Sequence, residues 1–210
     1  MDQPLGTHVG NALEVKEAID ILSGRINGDL LEVSLELGAR MLIAGGQAEN
    51  VGDGKAQMME ALRSGAGLRK LAEMIQAQGG NPAVCEDISL LPQAPVILPV
   101  PAPVSGYVTR MDTTAIGYCT QHMGAGRAQK TDIIDPAVGL VMQVRLGDYV
   151  EAGQPIAMLH LRNEQQAAPA IEAMQQAVEI GDKKPEKLPL VYAFVSANSI
   201  IYADGYGKVR

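Results

Sequence analysis

The first third of the chain carries apolar residues at helical spacing. Ala12, Leu13, Val15, Ala18, Ile19 and Leu22 fall on one side of a helix, and Glu14, Lys16, Glu17 and Asp20 on the other. Asn11 suits the N-cap, with Glu14 three residues on as in a capping box, and Gly24 suits the end. A second helix is predicted from a cap at Asp29. Its Leu30, Leu31, Val33, Leu35, Leu37, Met41, Leu42 and Ile43 run nearly all the way round, which predicts a buried helix stopped by Gly45-Gly46. Asp53 is placed at the start of a third helix carrying Met58, Met59 and Leu62. A fourth passes through Leu68, Leu71, Met74 and Ile75 to Gly79-Gly80.

The period changes after residue 80. Pro82, Pro92, Pro95, Pro99, Pro101 and Pro103 exclude helix and favour extended chain, so a domain boundary or linker is expected near 80–95. Beyond it, strands are predicted at Val104–Thr109, Gly139–Val144, Ile156–His160 and Val191–Val195. Asp112 can cap a helix from Thr113 to about Met123. Asn163, with Gln166 three on, can cap another ending near Gly181. Tyr202–Arg210 reads as irregular and frayed. The expected class is α/β (α+β): a helical segment at 1–90, then a mixed β/α domain at 91–210.

Composition sharpens this picture at three points. Hydrophobic residues make up 47% and charged residues 20%, enough for a sizeable core, but with no Trp and one Phe that core must be aliphatic. The net charge of −7 argues against a nucleic-acid partner, which wants a basic face. No apolar run reaches the roughly 18 residues that span a bilayer, and Met1-Asp2-Gln3-Pro4 lacks the basic-then-apolar order of a signal peptide. No membrane partner and a cytoplasmic location are expected. Cys85 and Cys119 have no metal-type spacing, and Cys119, in a half-apolar helical stretch, reads as a buried, inert thiol.

Two short turns set the architecture of the second half. Arg145-Leu146-Gly147-Asp148 suits a tight turn before Val150 returns to the core, and Gly153 makes a second turn before Pro155. With Val104-Ser105-Gly106-Tyr107-Val108, this is the pattern of a β-hammerhead or barrel-sandwich hybrid, the fold of biotinyl and lipoyl carriers. A carrier needs a lysine at an exposed hairpin tip. The intervening stretch Met111–Asp135 offers only Lys130, with the wrong flanks, so the motif reads as scaffold. A non-catalytic binding or carrier module remains the alternative function.

Other candidate chemistry reads as structural. Met123-Gly124-Ala125-Gly126-Arg127 could cradle phosphate, but it follows a helix instead of preceding one, so a helix end with a surface arginine is expected. His8, His122 and His160 lack zinc spacing. His122 lies near a helix end and His160 at a strand end, both in structural roles.

Three blocks together resemble one family. Met1–Ala18 (MDQPLGTHVGNALEVKEA), Gly124-Ala125-Gly126-Arg127, and Val138-Gly139-Leu140 with Gly147-Asp148-Tyr149-Val150 are similar in order and spacing to the pyrimidine-nucleoside phosphorylases, which include thymidine phosphorylase. The likeness runs to about Ala177; Ser196–Arg210 has no counterpart in it. The resemblance implies a transferase (pentosyltransferase) of pyrimidine-nucleoside salvage. It phosphorolyses thymidine or uridine reversibly to free base and (deoxy)ribose 1-phosphate. It also implies that residues 1–90 belong to the family's central α/β domain and 91–210 to its C-terminal domain.

The family holds phosphate with a Lys, Ser, Thr and Gly-rich set and the base with an Arg, a Ser and a Lys. Both sets lie upstream of the block that opens this chain, and no Lys-His-Ser-Thr-Gly-Gly run occurs in 1–210. The isolated chain is therefore expected to be inactive, with no catalytic residue of its own. Apolar surface is expected to be exposed where helices 11–78 meet a sheet encoded elsewhere. The family's homodimer interface, which lies in its helical domain, is expected to be missing. Bacterial members bind a potassium ion near the phosphate loop. By match, Leu5 and His8 would give main-chain carbonyls and Glu17 a carboxylate, the hard oxygens such a cation prefers.

Overall fold

The computed structural model describes residues 2–202. A two-residue strand, β1 (His8–Val9), leads into four helices: α1 (Asn11–Leu22), α2 (Asp29–Ala44), α3 (Val51–Arg63) and α4 (Ala66–Ala77). Two single 3₁₀ turns, Pro82–Cys85 and Ile88–Leu90, connect to β2 (Val96–Pro101) and β3 (Gly106–Met111). Then come α5 (Thr113–Thr120), β4 (Gly139–Met142), β5 (Tyr149–Val150), β6 (Pro155–Leu161), α6 (Ala167–Ala177) and β7 (Val178–Gly181). The hairpin β8 (Ala193–Val195) and β9 (Ile200–Tyr202) follows. The class is mixed α+β, as expected. No helix among the described residues is long and apolar enough to cross a membrane.

Two antiparallel sheets, ordered β1-β4-β6-β2 and β5-β3-β7, share one core. Val100, Val108, Leu140, Val150, Ile156, Leu159 and Leu161 are fully buried in it, joined by Ile116 of α5 and Met174 of α6. Each such side chain contributes about 1.5–3 kcal/mol by leaving water. The two short turns close as their residues require. Arg145 N–H donates to Asp148 Oδ2 at 2.7 Å, with Gly147 at φ 87° between them. Gly153 N–H donates to the Ala102 carbonyl at 2.8 Å.

The opening strand belongs to the later sheet. β1 pairs with β4 in the register His8↔Val141 and Val9↔Leu140. The helical segment has only a small core, Ile19 with Val84 and Cys85, edged by Leu68, Leu71 and Ile75. An apolar hollow of about 320 Å³ lies among α1, α2 and α3, lined by Ile21, Leu22, Leu31, Leu35, Met58 and Leu62.

Several local expectations are corrected. α1 is capped by Gly10 instead of Asn11. Gly10 N–H donates to the Glu14 carboxylate at 3.2 Å, and Asn11 reaches the Ala125 carbonyl instead. α2 starts at Asp29 with Gly28 in the cap position, since the Asp29 carboxylate is drawn to Arg145. α3 is capped by Asn50, whose side chain accepts from Asp53 N–H at 3.0 Å, while Asp53 accepts from Glu49 N–H. Pro82 begins a 3₁₀ turn, where a missing N–H is no loss. Asp112 does cap α5, accepting from Ala115 N–H at 2.9 Å. That helix stops at Thr120 and widens through Gln121–Ala125, where Gly124 takes φ 107°.

The helix expected to run to Gly181 stops at Ala177. Asn163 caps only a 3₁₀ turn, and Val178–Gly181 leaves helical geometry to pair with β3. Pairing with a free strand edge suits the β-branched Val178 and Ile180 better than another helical turn. Tyr202 lies in β9; the rest of the expected frayed end, 203–210, falls outside the described residues.

The largest correction concerns α2. It was expected to be buried all round, yet Ala39 is its one buried residue, and Leu37 and Met41 are 59% and 74% exposed. α2 packs chiefly on α3, which covers one side and leaves the other open. An apolar stripe of this kind drives association. The weight-average mass of the purified chain is expected to rise with loading concentration in sedimentation equilibrium. Leu37→Glu with Met41→Glu is expected to return it to the monomer value; a wild type that stays monomeric at all concentrations contradicts this.

Candidate functional site

The loop before β1 is gripped from two sides by opposite charges. Arg145, on the turn after β4, donates from Nη1 to the carbonyls of Pro4 at 2.7 Å and Gly6 at 3.0 Å. Its Nη2 donates to the Leu5 carbonyl at 3.2 Å and to Asp29 Oδ2 at 2.9 Å. Gln3 extends this contact, accepting from Leu146 N–H at 3.0 Å and donating to Asp29 at 3.3 Å. One guanidinium thus collects three successive carbonyls.

Glu17, on α1, grips the other side. Its Oε1 accepts from Thr7 N–H at 2.7 Å and from the Thr7 hydroxyl at 2.8 Å. Its Oε2 accepts from His8 N–H at 3.3 Å. The Glu17 side chain is only 6% exposed. Burial pushes its carboxyl upward, but the Thr7 and His8 donors outweigh that and hold it below the ordinary value, so it is ionised.

His8 touches the same carboxylate, with Nδ1 at 3.4 Å from Oε1. Burial pushes the imidazole below its ordinary range, and Glu17 opposes this only in part. The ring is therefore neutral at pH 7, and the contact is polar rather than an ion pair. The network assigns its tautomer. The Thr7 hydroxyl donates to Glu17, so at 2.9 Å it must accept from His8 Nδ1–H. His8 opposes Val141 in the β1–β4 ladder, while Met142 N–H donates to the Thr7 carbonyl at 2.7 Å. Antiparallel alternation then turns both the N–H and the carbonyl of His8 away from β4.

Leu5 and Glu17 line one hollow of about 200 Å³, together with Thr7, Asp29 and Arg145. His8 meets that group through Glu17. The three residues singled out in the sequence are thus neighbours. Arg145 and Asp29 were missed as site residues. An arginine before a Gly-Asp turn looks like any solvated arginine, and an aspartate at a helix start looks like a cap.

The remaining candidates fall into structural places. Arg127 Nε donates to the Asp132 carbonyl at 3.2 Å, and Asp132 in turn accepts from Ala128 and Gln129 N–H, so the Gly124–Arg127 stretch is a closed helix end. Lys130 is exposed on the loop between α5 and β4, not at a strand hairpin tip. Cys119 is buried, donates toward Met123 Sδ and the Ala170 carbonyl, and its thiol is pushed by burial up to about 11. His160 is half-buried and lowered by burial, with His8 and Lys16 nearby. A hollow of about 590 Å³ beside Arg145 carries Lys184 and Lys187 but also Asp2, Asp29, Asp148 and Glu186, so it is no anion cradle.

The histidines give stability a pH dependence. Unfolded, His8 and His160 take up protons near 6.5; folded, they resist. The unfolded state therefore binds more protons below that value, and stability falls as the pH drops through it. Glu17 acts the same way at lower pH: its contribution is complete above 4.5 and disappears as the pH falls through its depressed value. The urea midpoint is expected to decline as the pH falls below 6.5, and His8→Gln with His160→Gln is expected to flatten that decline. Equal slopes in variant and wild type contradict the assignment.

Residues 107–181, from β3 to the end of β7, match the description "Pyrimidine nucleoside phosphorylase C-terminal domain". The chain is also similar to the pyrimidine-nucleoside phosphorylases of Staphylococcus aureus strains USA300 and NCTC 8325 / PS 47. Each is 40% identical over 182 residues, covering 87% of this chain and 42% of the relative. The chain thus spans less than half the length of these curated relatives.

Proposed function

We propose that this chain is the carboxy-terminal part of a pyrimidine-nucleoside phosphorylase, the proteins to which it is 40% identical over 182 residues, and that it supplies the supporting and cation-binding portion of that enzyme. In the proposed reaction a phosphate oxygen bonds to C1′ of thymidine or uridine as the C1′–N bond breaks. The base leaves with the electron pair and takes up a proton. Positioning and charge stabilisation in a closed cleft drive such a displacement. Residues 1–90 would belong to the central α/β domain, and 91–210 would form the C-terminal domain that steadies it.

The observation that carries the reading is the two-sided grip on residues 4–8, within a chain similar to these enzymes over 87% of its length. The donor set fits a potassium ion in kind. Glu17 is ionised, and the His8 carbonyl lies on the Glu17 side of its strand. The Leu5 carbonyl, in the longest of the three contacts between Arg145 and carbonyls at 3.2 Å, keeps a lone pair. Leu5, His8 and Glu17 would hold the ion, which when bound would add positive charge beside the phosphate end of the cleft. These are three oxygens of the six or more that hard cations commonly take.

The two hollows beside Arg145 that carry cationic side chains also carry carboxylates, and the 210-residue chain alone is proposed to be inactive. Two assays test this. The chain mixed with thymidine or uridine and phosphate is expected to release no base. A chimera in which it replaces its matched segment of a Staphylococcus aureus relative is expected to release base. Turnover by the chain alone overturns the inactivity, and a folded but inert chimera overturns the functional reading.

A further inference from the structure

We infer that Arg145 is the positioning residue of the proposed cation loop, setting the conformation in which the Leu5 and His8 carbonyls are held near Glu17. This rests on the cation reading above and adds a residue from the far side of the chain. The geometry has three parts. First, Arg145 is aimed before it meets the loop: its own N–H is tied to Asp148 in the turn, and its guanidinium is paired with Asp29. Second, it collects the Pro4, Leu5 and Gly6 carbonyls, so three consecutive peptide planes are fixed by one rigid, planar group. Third, the very next donors, Thr7 N–H and His8 N–H, turn to Glu17. A loop held at only one of these sides would be free to rotate its peptide planes. Held at both, it carries carbonyl oxygens and a carboxylate in a fixed relation.

The arrangement also links two parts of the fold. The turn bearing Arg145 leads from β4 toward β5, and those strands lie in different sheets. Arg145 therefore ties the loop to the sheet core, not only to the helices. Lysine at this position could meet one or two carbonyls but could not span three together with a carboxylate, because its ammonium is a compact point charge.

The test uses the 210-residue chain and two readouts by NMR. In Arg145→Met, amide exchange of Thr7 and His8 is expected to accelerate about tenfold or more, while that of Leu159 in β6 stays as in the wild type; Arg145→Lys should fall between. Titration with KCl against NaCl is expected to shift the Leu5–His8 amides of the wild type, and to do so several-fold more weakly in Arg145→Met. Where Arg145→Met fails to fold, Asp29→Asn, which removes the partner that aims the guanidinium, takes its place. Unchanged exchange at Thr7 and His8 overturns the positioning role. A potassium response equal in variant and wild type overturns it too, while leaving the cation reading intact. Faster exchange with no potassium response in the wild type sinks the cation reading and reduces Arg145 to a loop anchor, which overturns the inference as stated.

Discussion

Glu17→Ala is expected to destabilise the chain by about 3–5 kcal/mol, read as a lower urea midpoint at unchanged slope. The side chain is buried, and its carboxylate is the acceptor for Thr7 N–H, the Thr7 hydroxyl and His8 N–H. Alanine leaves those donors without an acceptor, and buried unsatisfied donors cost about 1–3 kcal/mol each. The sum is trimmed because water can enter the hollow beside Leu5. Glu17→Gln keeps one carbonyl acceptor but loses the charge, so about 1–2 kcal/mol is expected. The loss in the alanine variant should also shrink as the pH falls through the depressed Glu17 value, where the wild type itself loses the contribution. An alanine variant within about 1 kcal/mol of wild type would show that the carboxylate is not holding the loop.

Gly139→Val is expected to cost at least about 3 kcal/mol and to release β1 from the sheet. Gly139 sits at φ 155°, a conformation L side chains rarely adopt. A Cβ there would overlap the Val9 carbonyl oxygen and lie 3.0 Å from both Gly10 Cα and Leu13 Cδ1. Two of those three atoms are backbone, so no rotamer change relieves the clash. β1 would have to move, and with it the loop between Arg145 and Glu17. The Val9–Leu140 pairing in amide exchange is the direct readout. Gly153→Ala is the control: at φ 86° it is strained too, but nothing lies within 4 Å of the added Cβ. About 1–2 kcal/mol is expected there, from backbone strain alone. Equal costs at the two positions would mean that close packing against β1 is not what Gly139 serves.

Much of the second half was legible because its signals are local. The Gly147-Asp148 turn is closed by groups three residues apart, and the Asp112 cap by Ala115. Alternation through Ala157–Leu161 places Ala157, Leu159 and Leu161 in the core, and Ile156, near the start of the strand, is buried out of step with it. The misreadings arise where two local signals compete. Gly10 and Asn11 both suit a cap, and the approach to Gly139 decides for glycine. Val178–Gly181 could extend α6, and the open edge of β3 decides for a strand. The apolar surround of α2 predicted burial, but a pattern reports what a helix could cover, not what reaches it.

By itself the sequence determined the mixed class, the turns, the aliphatic core and the likeness that singles out Leu5, His8 and Glu17. Those follow from side-chain chemistry acting over a few residues, or from the order of whole blocks along the chain. Only the tertiary structure decided that Arg145 meets the Leu5 carbonyl across 140 positions and pairs with Asp29 across 116. A hydrogen bond between groups so far apart leaves no period or spacing in the chain. It exists because the β1–β4 pairing brings the amino-terminal loop against the turn that follows β4.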